Sequence, residues 1–455
     1  MLYYQFPLVE IKQLTQLKQF IATRKHAVLL ETALSPEDNK GYSIYAYAPK
    51  ITLTKQNGKL HCSGYSHDDV TMDPLHLIKQ ILANHPTNKH QDLPFCGGFL
   101  GYLGYDYGQY LEQLPQQAEN DIKLPDLFMG FYPVAIVIDH RSKLVNICGI
   151  EDQQSSADEL FQLCQQTNPL NIADFHLTTD WQSNMTESEY HQKFATVMQH
   201  IVNGNCYQIN LAQRWSAPYK GSPYQAYCIL RDENIAPYSA FINLDQAAII
   251  SVSPESFIAA KSGYCKTKPI KGTRPRSEDP DEDLQFANDL LESEKDRAEN
   301  VMIVDLLRND FSKVCKINTV KVEKLCELES FAAVHHLVST ISGELEADKG
   351  NTDLLSACFP GGSITGAPKI SAMKIIDSLE PHKRSVYCGS IGYLSCNGRM
   401  DTSISIRTLV CANDHIYCWA GGGIVVDSEA DKEFLETLQK VSKILPVLSK
   451  TIRDN

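Results

Sequence analysis

The sequence predicts a mixed α/β protein, and three observations support this prediction. Roughly the first 175 residues consist mainly of strand patterns, in which β-branched and aromatic residues are punctuated by glycine and proline. Apolar residues at helical spacing become prominent after residue 185. The chain has 455 residues, of which 43% are hydrophobic, and this is enough for a sizeable core.

The N-terminal segment contains four stretches with the composition of strands. They are residues 26–33, 42–49, 96–108 and 128–139. The chain becomes polar between Asp152 and Asp180, where a glutamine-rich helical stretch is followed by a loop. This change predicts a boundary between an N-terminal region, residues 1–175, and a second region, residues 185–450.

The second region opens with a predicted helix that ends at Gly204 and Asn205. Apolar residues recur along it at helical spacing, and we interpret them as core and not as a cofactor site: Tyr190, Phe194, Val197, Met198 and Ile201. In residues 206–211 the character of the side chains then alternates from one residue to the next, which predicts a strand.

Two residues in the stretch 251–276 suit acid and nucleophile chemistry. Glu255 follows the apolar run AAIISV, so it lies where a buried strand ends and a carboxyl group can face a cleft. Lys271 precedes Gly272, which predicts a tight turn, and the neighbouring Arg274 and Arg276 favour a neutral, nucleophilic amine. The alternative for Lys271 is a solvated lysine in a turn.

Asp296 and Glu299 are candidate metal ligands. They lie three residues apart on one face of a helix predicted over residues 292–308. Two hard oxygen ligands with this spacing suit Mg²⁺. The alternative is a solvated helix face, since acidic residues are common near a helix N-terminus.

These stretches, together with three later motifs, resemble the chorismate-utilising enzymes of the anthranilate synthase component I family. The later motifs are FPGGSITGAPK (359–369), YCGSIGYLSCNGRMDTSISIRT (387–408) and AGGGIVVDSEADKEFLET (420–437). The resemblance covers roughly residues 185–450. It implies two antiparallel sheets packed as a sandwich with helices outside, and N-terminal and C-terminal halves that are intertwined.

The resemblance also implies roles for the acidic residues and the lysine. Glu299 and Glu436 are the principal Mg²⁺ ligands, and Asp296 and Glu433 act directly or through water. Glu433 and Glu436 share one helix face with Lys440. Lys271 adds to the ring of chorismate while Glu255 protonates the departing hydroxyl group.

Further residues resemble the substrate-binding positions of the family. Tyr387 and Arg407, on flanking strands, grip a carboxylate, and the glycine run 421–423 lets backbone N–H groups approach a second one. The implied set is Gly272, Thr273, His336, Thr365, Tyr387, Arg407, Gly421, Gly423 and Lys440. A lone histidine is more often a core residue, and a glycine run more often marks a turn.

Two residues indicate which reaction the resemblance implies. Lys271 in PIKGT matches the members that form 4-amino-4-deoxychorismate, a precursor of para-aminobenzoate and folate, whereas anthranilate-forming members have PIAGT. Gln208 lies where water-using members have a lysine base, and glutamine cannot deprotonate water. We therefore expect ammonia as nucleophile and no loss of pyruvate. Anthranilate synthesis and a non-catalytic chorismate- or tryptophan-binding regulator are the alternatives.

The family resemblance also implies two binding partners. The chain lacks a G-x-C-x-G nucleophile motif, so a separate glutamine amidotransferase subunit is expected to supply ammonia. Glu31 and Thr32 resemble one wall of the family's tryptophan pocket, and Pro237 and Tyr238 resemble the second wall. Ordinary strand packing is the alternative for these four residues.

Net charge and cysteine content limit the kinds of partner and the cellular compartment that the sequence predicts. A net charge of −13 argues against nucleic acid and anionic membranes as partners, although a local cluster of cations can still bind a small anion. Fourteen cysteines without C-x-x-C spacing, and a start without a signal-peptide pattern, predict reduced thiols in the cytoplasm. No apolar run approaches the roughly 18 residues of a membrane span.

Overall fold

The computed structural model of the chain describes residues 1–11, 13–32, 41–66, 72–87, 92–166, 168–331 and 334–452. The strands in these ranges are β1 (Leu2–Pro7), β2 (Val28–Glu31), β3 (Tyr42–Ala46), β4 (Ile51–Gln56), β5 (Lys59–Ser63), β6 (Gly98–Leu103), β7 (Leu127–Tyr132), β8 (Val134–Asp139), β9 (Leu144–Gly149), β10 (His176–Leu177), β11 (Gln182–Ser183), β12 (Gln208–Lys220), β13 (Tyr238–Asn243), β14 (Ala247–Ser253), β15 (Ser256–Lys261), β16 (Tyr264–Thr267), β17 (Ile270–Pro275), β18 (Lys321–Ser330), β19 (Val334–Glu344), β20 (Gly366–Ala367), β21 (Ser390–Ser395), β22 (Met400–Ile404), β23 (Thr408–Ala412) and β24 (His415–Ile424). The α-helices are α1 (Leu14–Ala22), α2 (Pro74–Ala83), α3 (Gln154–Gln165), α4 (Glu187–Val202), α5 (Pro223–Glu233), α6 (Pro280–Glu292), α7 (Glu294–Ser312), α8 (Asn351–Cys358), α9 (Lys369–Leu379), α10 (Ala430–Val441) and α11 (Leu445–Ser449).

The strands form two antiparallel sheets. Within the described ranges the first has 13 strands, in the order β1-β9-β8-β3-β2-β13-β14-β23-β24-β12-β10, with β11 and β20 also paired to β12. The second has 11 strands, in the order β17-β19-β16-β15-β22-β21-β6-β7-β4-β5, with β18 paired to β19. Each sheet contains strands from both ends of the chain, so the two halves are intertwined. The predicted α/β fold with two antiparallel sheets is confirmed, while the proposed division at residues 175–185 stays a prediction.

The hydrophobic core has two layers because the strands of the larger sheet are buried on both faces. On β13 and β14, Ile242 and Ile249 belong to the layer between the sheets, which Phe99 of the second sheet also joins. Their neighbour Phe241 faces the opposite way, into the layer covered by helices that include α1, α3 and α5. Successive strand residues therefore serve two cores, which explains the near-continuous apolar runs in the sequence.

Two predicted strands differ from the structure. Residues 128–139 were predicted as one strand, but Pro133 separates β7 in the smaller sheet from β8 in the larger sheet. Proline cannot donate to a sheet ladder, so the chain changes sheets there. Residues 96–108 form a strand only to Leu103, and a 3₁₀ helix, Tyr105–Tyr110, follows. Ala33, the last residue of the strand predicted at 26–33, lies outside the described residues.

The predicted helix over residues 292–308 is divided differently from expectation. Helix α6 ends at Glu292 and α7 begins at Glu294, with Ser293 between them. The Ser293 side chain accepts a hydrogen bond from the Asp296 N–H, which caps the first turn of α7. All fourteen cysteines are free thiols. None of the helices within the described ranges is long and apolar enough to span a membrane.

Candidate active site

A cavity of about 780 Å³ brings together residues from widely separated parts of the sequence. We call it the main cavity. Its walls come from the end of β14, from β17, from the first turns of α7, from β24 and from α10. Most of the predicted site residues line it: Glu255, Lys271, Gly272, Thr273, Asp296, Glu299, His336, Tyr387, Arg407, Gly421, Gly423, Glu436 and Lys440.

Lys271 lies on strand β17 and not in the tight turn predicted from its sequence. The strand register shifts between Ile270 and Thr273, and Gly272 has a φ of +78°. A Cβ atom at Gly272 would lie 2.9 Å from Cγ of Asp296, so glycine allows this bulge to approach α7. The bulge positions the Lys271 amine 3.8 Å from Oε2 of Glu299.

The two arginines that follow Lys271 each pair with a carboxylate. Arg274 contacts Asp296, with 3.2 Å between Nη2 and Oδ2. Arg276 contacts Asp283, with 2.8 Å between Nε and Oδ1. The expectation that these two charges favour a neutral Lys271 amine stays a prediction, and both arginines are paired with carboxylates.

Glu255 is buried at the end of β14, as predicted. Its Oε1 accepts a hydrogen bond of 2.8 Å from the Ser363 hydroxyl. Burial raises the pKa of Glu255 above its ordinary value, with Ser363 and Lys271 acting in the opposite direction. A carboxyl group with a raised pKa is suited to donate a proton near neutral pH.

Ser363 is a site residue that the sequence interpretation missed. Its hydroxyl contacts Glu255, and its carbonyl oxygen accepts a hydrogen bond of 3.3 Å from Nζ of Lys271. It therefore connects the candidate acid to the candidate nucleophile. Its place in the FPGGSITGAPK motif, two residues before Thr365, was the available signal.

Thr365 has a different place from the one predicted. Its side chain is fully buried and donates a hydrogen bond of 3.0 Å to the Gly361 carbonyl, and it is not among the residues that line the main cavity. Its own carbonyl accepts a hydrogen bond from the Asn210 N–H. Thr365 thus holds the loop that carries Ser363 against β12.

The four predicted metal ligands lie on α7 and α10, and basic side chains are paired with all of them. The pairs are Lys271 with Glu299 at 3.8 Å, Arg274 with Asp296 at 3.2 Å, Lys295 with Glu433 at 3.3 Å and Lys440 with Glu436 at 2.6 Å. Glu433 is the most buried of the four, at 2% exposure, and does not line the cavity.

The donor set fits a divalent cation. Oε2 of Glu433 is buried and has no hydrogen-bond partner in the described part of the chain. A Cβ atom at Gly422 would lie 2.8 Å from this oxygen and 3.5 Å from Oε1 of Glu436, so the glycine leaves space beside both carboxylates. Four carboxylates and an unpartnered buried oxygen suit a hard cation such as Mg²⁺.

The carboxylates do not, however, form a compact ligand shell. Among the described residues, the group of at least three ligand atoms that lie within 4.8 Å of one another is Glu187, His191 and Asp431, away from the main cavity. Burial raises the pKa of Glu299, whereas burial of Glu436 is outweighed by Lys440, which lowers the pKa of that carboxyl. The structure thus brings the two acidic helices together, but no three of their carboxylate groups in the described residues place ligand oxygens within 4.8 Å of one another.

Arg407 lies in the link between β22 and β23, and not on a strand as predicted. Its φ is +50°, in the left-handed region that few non-glycine residues adopt. Its guanidinium forms no ion pair with the residues that the structure describes, so it is available to a carboxylate in the cavity. Burial and the Arg407 charge lower the pKa of His336 to about 4, so this imidazole is neutral.

Tyr387 precedes β21 and is buried against Trp419, with ring centroids 6.2 Å apart and planes 7° apart. Trp419 also lines the cavity, and the sequence interpretation did not single it out. Lys440 donates a hydrogen bond of 2.8 Å to the Gly421 carbonyl, which links α10 to β24. These contacts build one rigid wall of the cavity.

Gln208, the residue at the position of the water-activating lysine, contacts a candidate metal ligand. Its Nε2 donates a hydrogen bond of 3.3 Å to Oε2 of Glu299. The side chain is 2% exposed, and its Oε1 is buried without a partner in the described residues. An amide at this position orients Glu299 without supplying a base.

A second cavity, of about 300 Å³, is lined by all four predicted effector residues, Glu31 among them. Thr32, Pro237 and Tyr238 line it together with Asp401. Oδ1 of Asp401 is buried and has no hydrogen-bond partner among the described residues. Burial raises the pKa of Asp401 to about 7.

Glu31 lines the second cavity together with the other three predicted residues, but its carboxylate has partners elsewhere. It bonds to Tyr45 and Tyr227 and pairs with Lys18 at 2.5 Å and Arg231 at 3.3 Å. None of these four partners lines the cavity. The carboxylate therefore points away from the cavity, because alternate residues of β2 face opposite sides of the sheet.

Comparison with known proteins gives consistent matches along the chain. The profile of the family described as chorismate binding enzyme matches residues 31–446. Aminodeoxychorismate synthase component 1 of Escherichia coli (strain K12) is 48% identical over 428 residues, which cover 93% of this chain and 93% of that protein. Anthranilate synthase component 1 of Aquifex aeolicus is 34% identical over 441 residues, covering 92% and 89%. The crystal structure of anthranilate synthase component I from Streptococcus pneumoniae TIGR4 has a TM-score of 0.79 and 33% identity, and covers 92% of this chain and 98% of that one.

Proposed function

Because this chain belongs to the chorismate binding enzyme family, we propose that it is an aminodeoxychorismate synthase component 1, which converts chorismate and ammonia to 4-amino-4-deoxychorismate. The observation that carries the proposal is the Lys271 amine, which lies in the main cavity between Glu299 and the Ser363 loop that also binds Glu255. The 48% identity to a synthase of this kind supports it over anthranilate synthesis, because three similar anthranilate synthases are 34–36% identical.

The residues of the cavity suit an addition at C2 followed by displacement at C4. The Lys271 nitrogen forms a bond to C2 as the C4 hydroxyl leaves, and Glu255 gives that oxygen the proton that completes water. Ammonia then forms a bond to C4 as the bond between the lysine nitrogen and C2 breaks. Arg407 binds a carboxylate of the substrate, and the neutral His336 lies beside the ring.

Mg²⁺ would be held by Glu299 and Glu436, with Asp296 and Glu433 beside them. Bound there, it would supply positive charge opposite a substrate carboxylate. The lysines that are paired with three of these groups occupy the same region, so cation binding would require Lys271, Lys295 and Lys440 to exchange partners.

A product assay tests the proposed function. With chorismate, ammonium and Mg²⁺ the purified chain should form 4-amino-4-deoxychorismate and release no pyruvate, and glutamine should not replace ammonium. Chromatography with mass detection identifies this product, while fluorescence detects anthranilate. Anthranilate with equimolar pyruvate would support the alternative synthase, and no turnover would support a non-catalytic binding protein.

The second cavity is proposed to bind tryptophan, with Oδ1 of Asp401, which has no partner among the described residues, accepting a hydrogen bond from the ligand's ammonium group. Because burial raises the pKa of Asp401 to about 7, we expect tighter binding at pH 8, where the carboxylate is ionised, than at pH 6. Replacement of Asp401 by Asn should raise the Kd, measured by calorimetry, at least about tenfold and remove this pH dependence. The exposed Asp348→Asn is the matched control. Unchanged affinity in Asp401→Asn would contradict the assignment.

A further inference from the structure

A second group of candidate metal ligands lies outside the main cavity, where α4 meets α10. It consists of Glu187 and His191 from α4 and Asp431 from α10, and we call it the interhelix cluster. Each residue offers one ligand atom, and the three atoms lie within 4.8 Å of one another. None of the three residues lines the main cavity, and the proposed reaction gives them no role.

The sequence places Glu187 and His191 on the same face of α4. They are four residues apart, and residues at this spacing are neighbours on a helix surface. Glu187 is the first residue of α4, which Thr186 and Glu189 cap with reciprocal hydrogen bonds. The cap occupies the carboxylate of Glu189. The carboxylate of Glu187 has neither an ion pair nor a hydrogen bond with the residues that the structure describes, so it is free to bind a cation.

The imidazole of His191 is oriented toward Asp431. Its ring packs edge-on against Phe434 of α10, with centroids 6.1 Å apart and planes 84° apart. Its Nε2 is buried and has no hydrogen-bond partner in the described part of the chain, although Oδ1 of Asp431 lies 3.3 Å away. A buried polar atom without a hydrogen bond is unfavourable, and a metal ion beside Nε2 would satisfy its lone pair.

The spacing of these two atoms matches that of two ligands on one tetrahedral ion. Zinc binds imidazole nitrogen and carboxylate oxygen at about 2.0–2.1 Å, which separates two tetrahedral ligands by about 3.4 Å. The 3.3 Å between Nε2 of His191 and Oδ1 of Asp431 agrees with this value. The Glu187 carboxylate supplies a third ligand, and a water molecule can complete the set of four.

The donor atoms also indicate the kind of ion. Carboxylates alone suit Mg²⁺, whereas an imidazole nitrogen favours zinc and its neighbours in the first transition series. Two carboxylates and a neutral imidazole also balance the charge of a divalent cation. The alternative is an ion pair between a protonated His191 and Asp431, whose side chain is 83% exposed. Such an exposed pair contributes little to stability.

We propose that the interhelix cluster binds Zn²⁺ through Nε2 of His191 and the carboxylates of Glu187 and Asp431. The bound ion joins α4 to the first turn of α10. Because α10 also carries Glu433 and Glu436, zinc at this position holds in place a helix that borders the main cavity. The zinc site is separate from the proposed Mg²⁺ site and does not depend on the proposed reaction.

Calorimetric titration of the full chain with ZnCl₂, in buffer with excess Mg²⁺ to occupy the main cavity, tests the proposal. His191→Ala and Asp431→Asn should each raise the Kd for Zn²⁺ at least about tenfold. Asp431→Asn keeps the shape of an exposed side chain, so it reports on the site even if loss of the His191 ring disturbs packing against Phe434. The matched control is His200→Ala, which removes a half-buried histidine from the last turn of the same helix and should leave the Kd unchanged.

Anomalous scattering at the zinc absorption edge, from crystals grown with ZnCl₂, should locate the ion between α4 and α10. Glu436→Gln should keep this peak, because that carboxylate belongs to the main cavity. Unchanged Zn²⁺ affinity in His191→Ala would overturn the proposal. So would an anomalous peak confined to the main cavity, or a wild-type chain that binds no zinc, which would leave His191 and Asp431 as an ion pair alone.

Discussion

Chorismate should become covalently attached to Lys271 when Mg²⁺ is present and ammonia is absent. The lysine can add to C2 as hydroxide leaves C4, but no nucleophile then arrives to displace it. Intact-protein mass spectrometry should show a gain equal to chorismate less water, and peptide mapping should locate it on Lys271. Replacement of Lys271 by Ala should abolish the adduct and reduce amination at least about 100-fold, as expected for a directly acting group.

The control for this prediction is Lys268→Ala, three residues earlier in the same motif. Lys268 pairs with Glu329 at 2.7 Å and does not line the main cavity. This variant should keep both the adduct and the turnover. Wild-type turnover in Lys271→Ala, with no adduct on the parent chain, would contradict covalent catalysis and leave Lys271 as an electrostatic group opposite Glu299.

Most of the main cavity could be predicted because its residues lie in contiguous motifs. Glu255 and Lys271 were found from strand ends and glycine neighbours, and Glu299 and Glu436 from helical spacing. Ser363 was missed because a serine in a loop has no distinctive pattern, and its importance arises only when the loop meets Glu255. The pairing of Arg274 with Asp296 was not predicted for a similar reason, since the two residues are 22 positions apart in the sequence.

The fold was predictable in class but not in connectivity. Strand patterns indicated strands, yet they contain no information on which strands pair. The family resemblance implied two antiparallel sheets, and the order of the strands in each sheet came from the structure. The change of sheet at Pro133 illustrates this limit. Both β7 and β8 are almost fully buried, and a run that is apolar on both faces looks continuous in the sequence.

Glu299→Gln and Glu436→Gln should each abolish Mg²⁺-dependent turnover, with a loss of at least about 100-fold. Each substitution keeps the shape of the side chain but removes a negative charge from a site that must bind a divalent cation beside an anionic substrate. Calorimetric titration should show weaker Mg²⁺ binding in both variants. The thermal midpoint should stay within about 3 °C of wild type, because glutamine keeps the volume of the side chain and can still accept a hydrogen bond, as Glu299 does from Gln208.

Glu429→Gln is the matched control, since Glu429 precedes α10 and its carboxylate is 65% exposed beside Lys432. It should bind Mg²⁺ and turn over as the wild type does. The two test variants differ in one informative respect, because Glu299 contacts Lys271 whereas Glu436 contacts Lys440. At saturating Mg²⁺, Glu299→Gln should therefore change the yield of the Lys271 adduct more than Glu436→Gln does. If either test variant kept wild-type turnover with the same Mg²⁺ dependence, that carboxylate would not be a metal ligand.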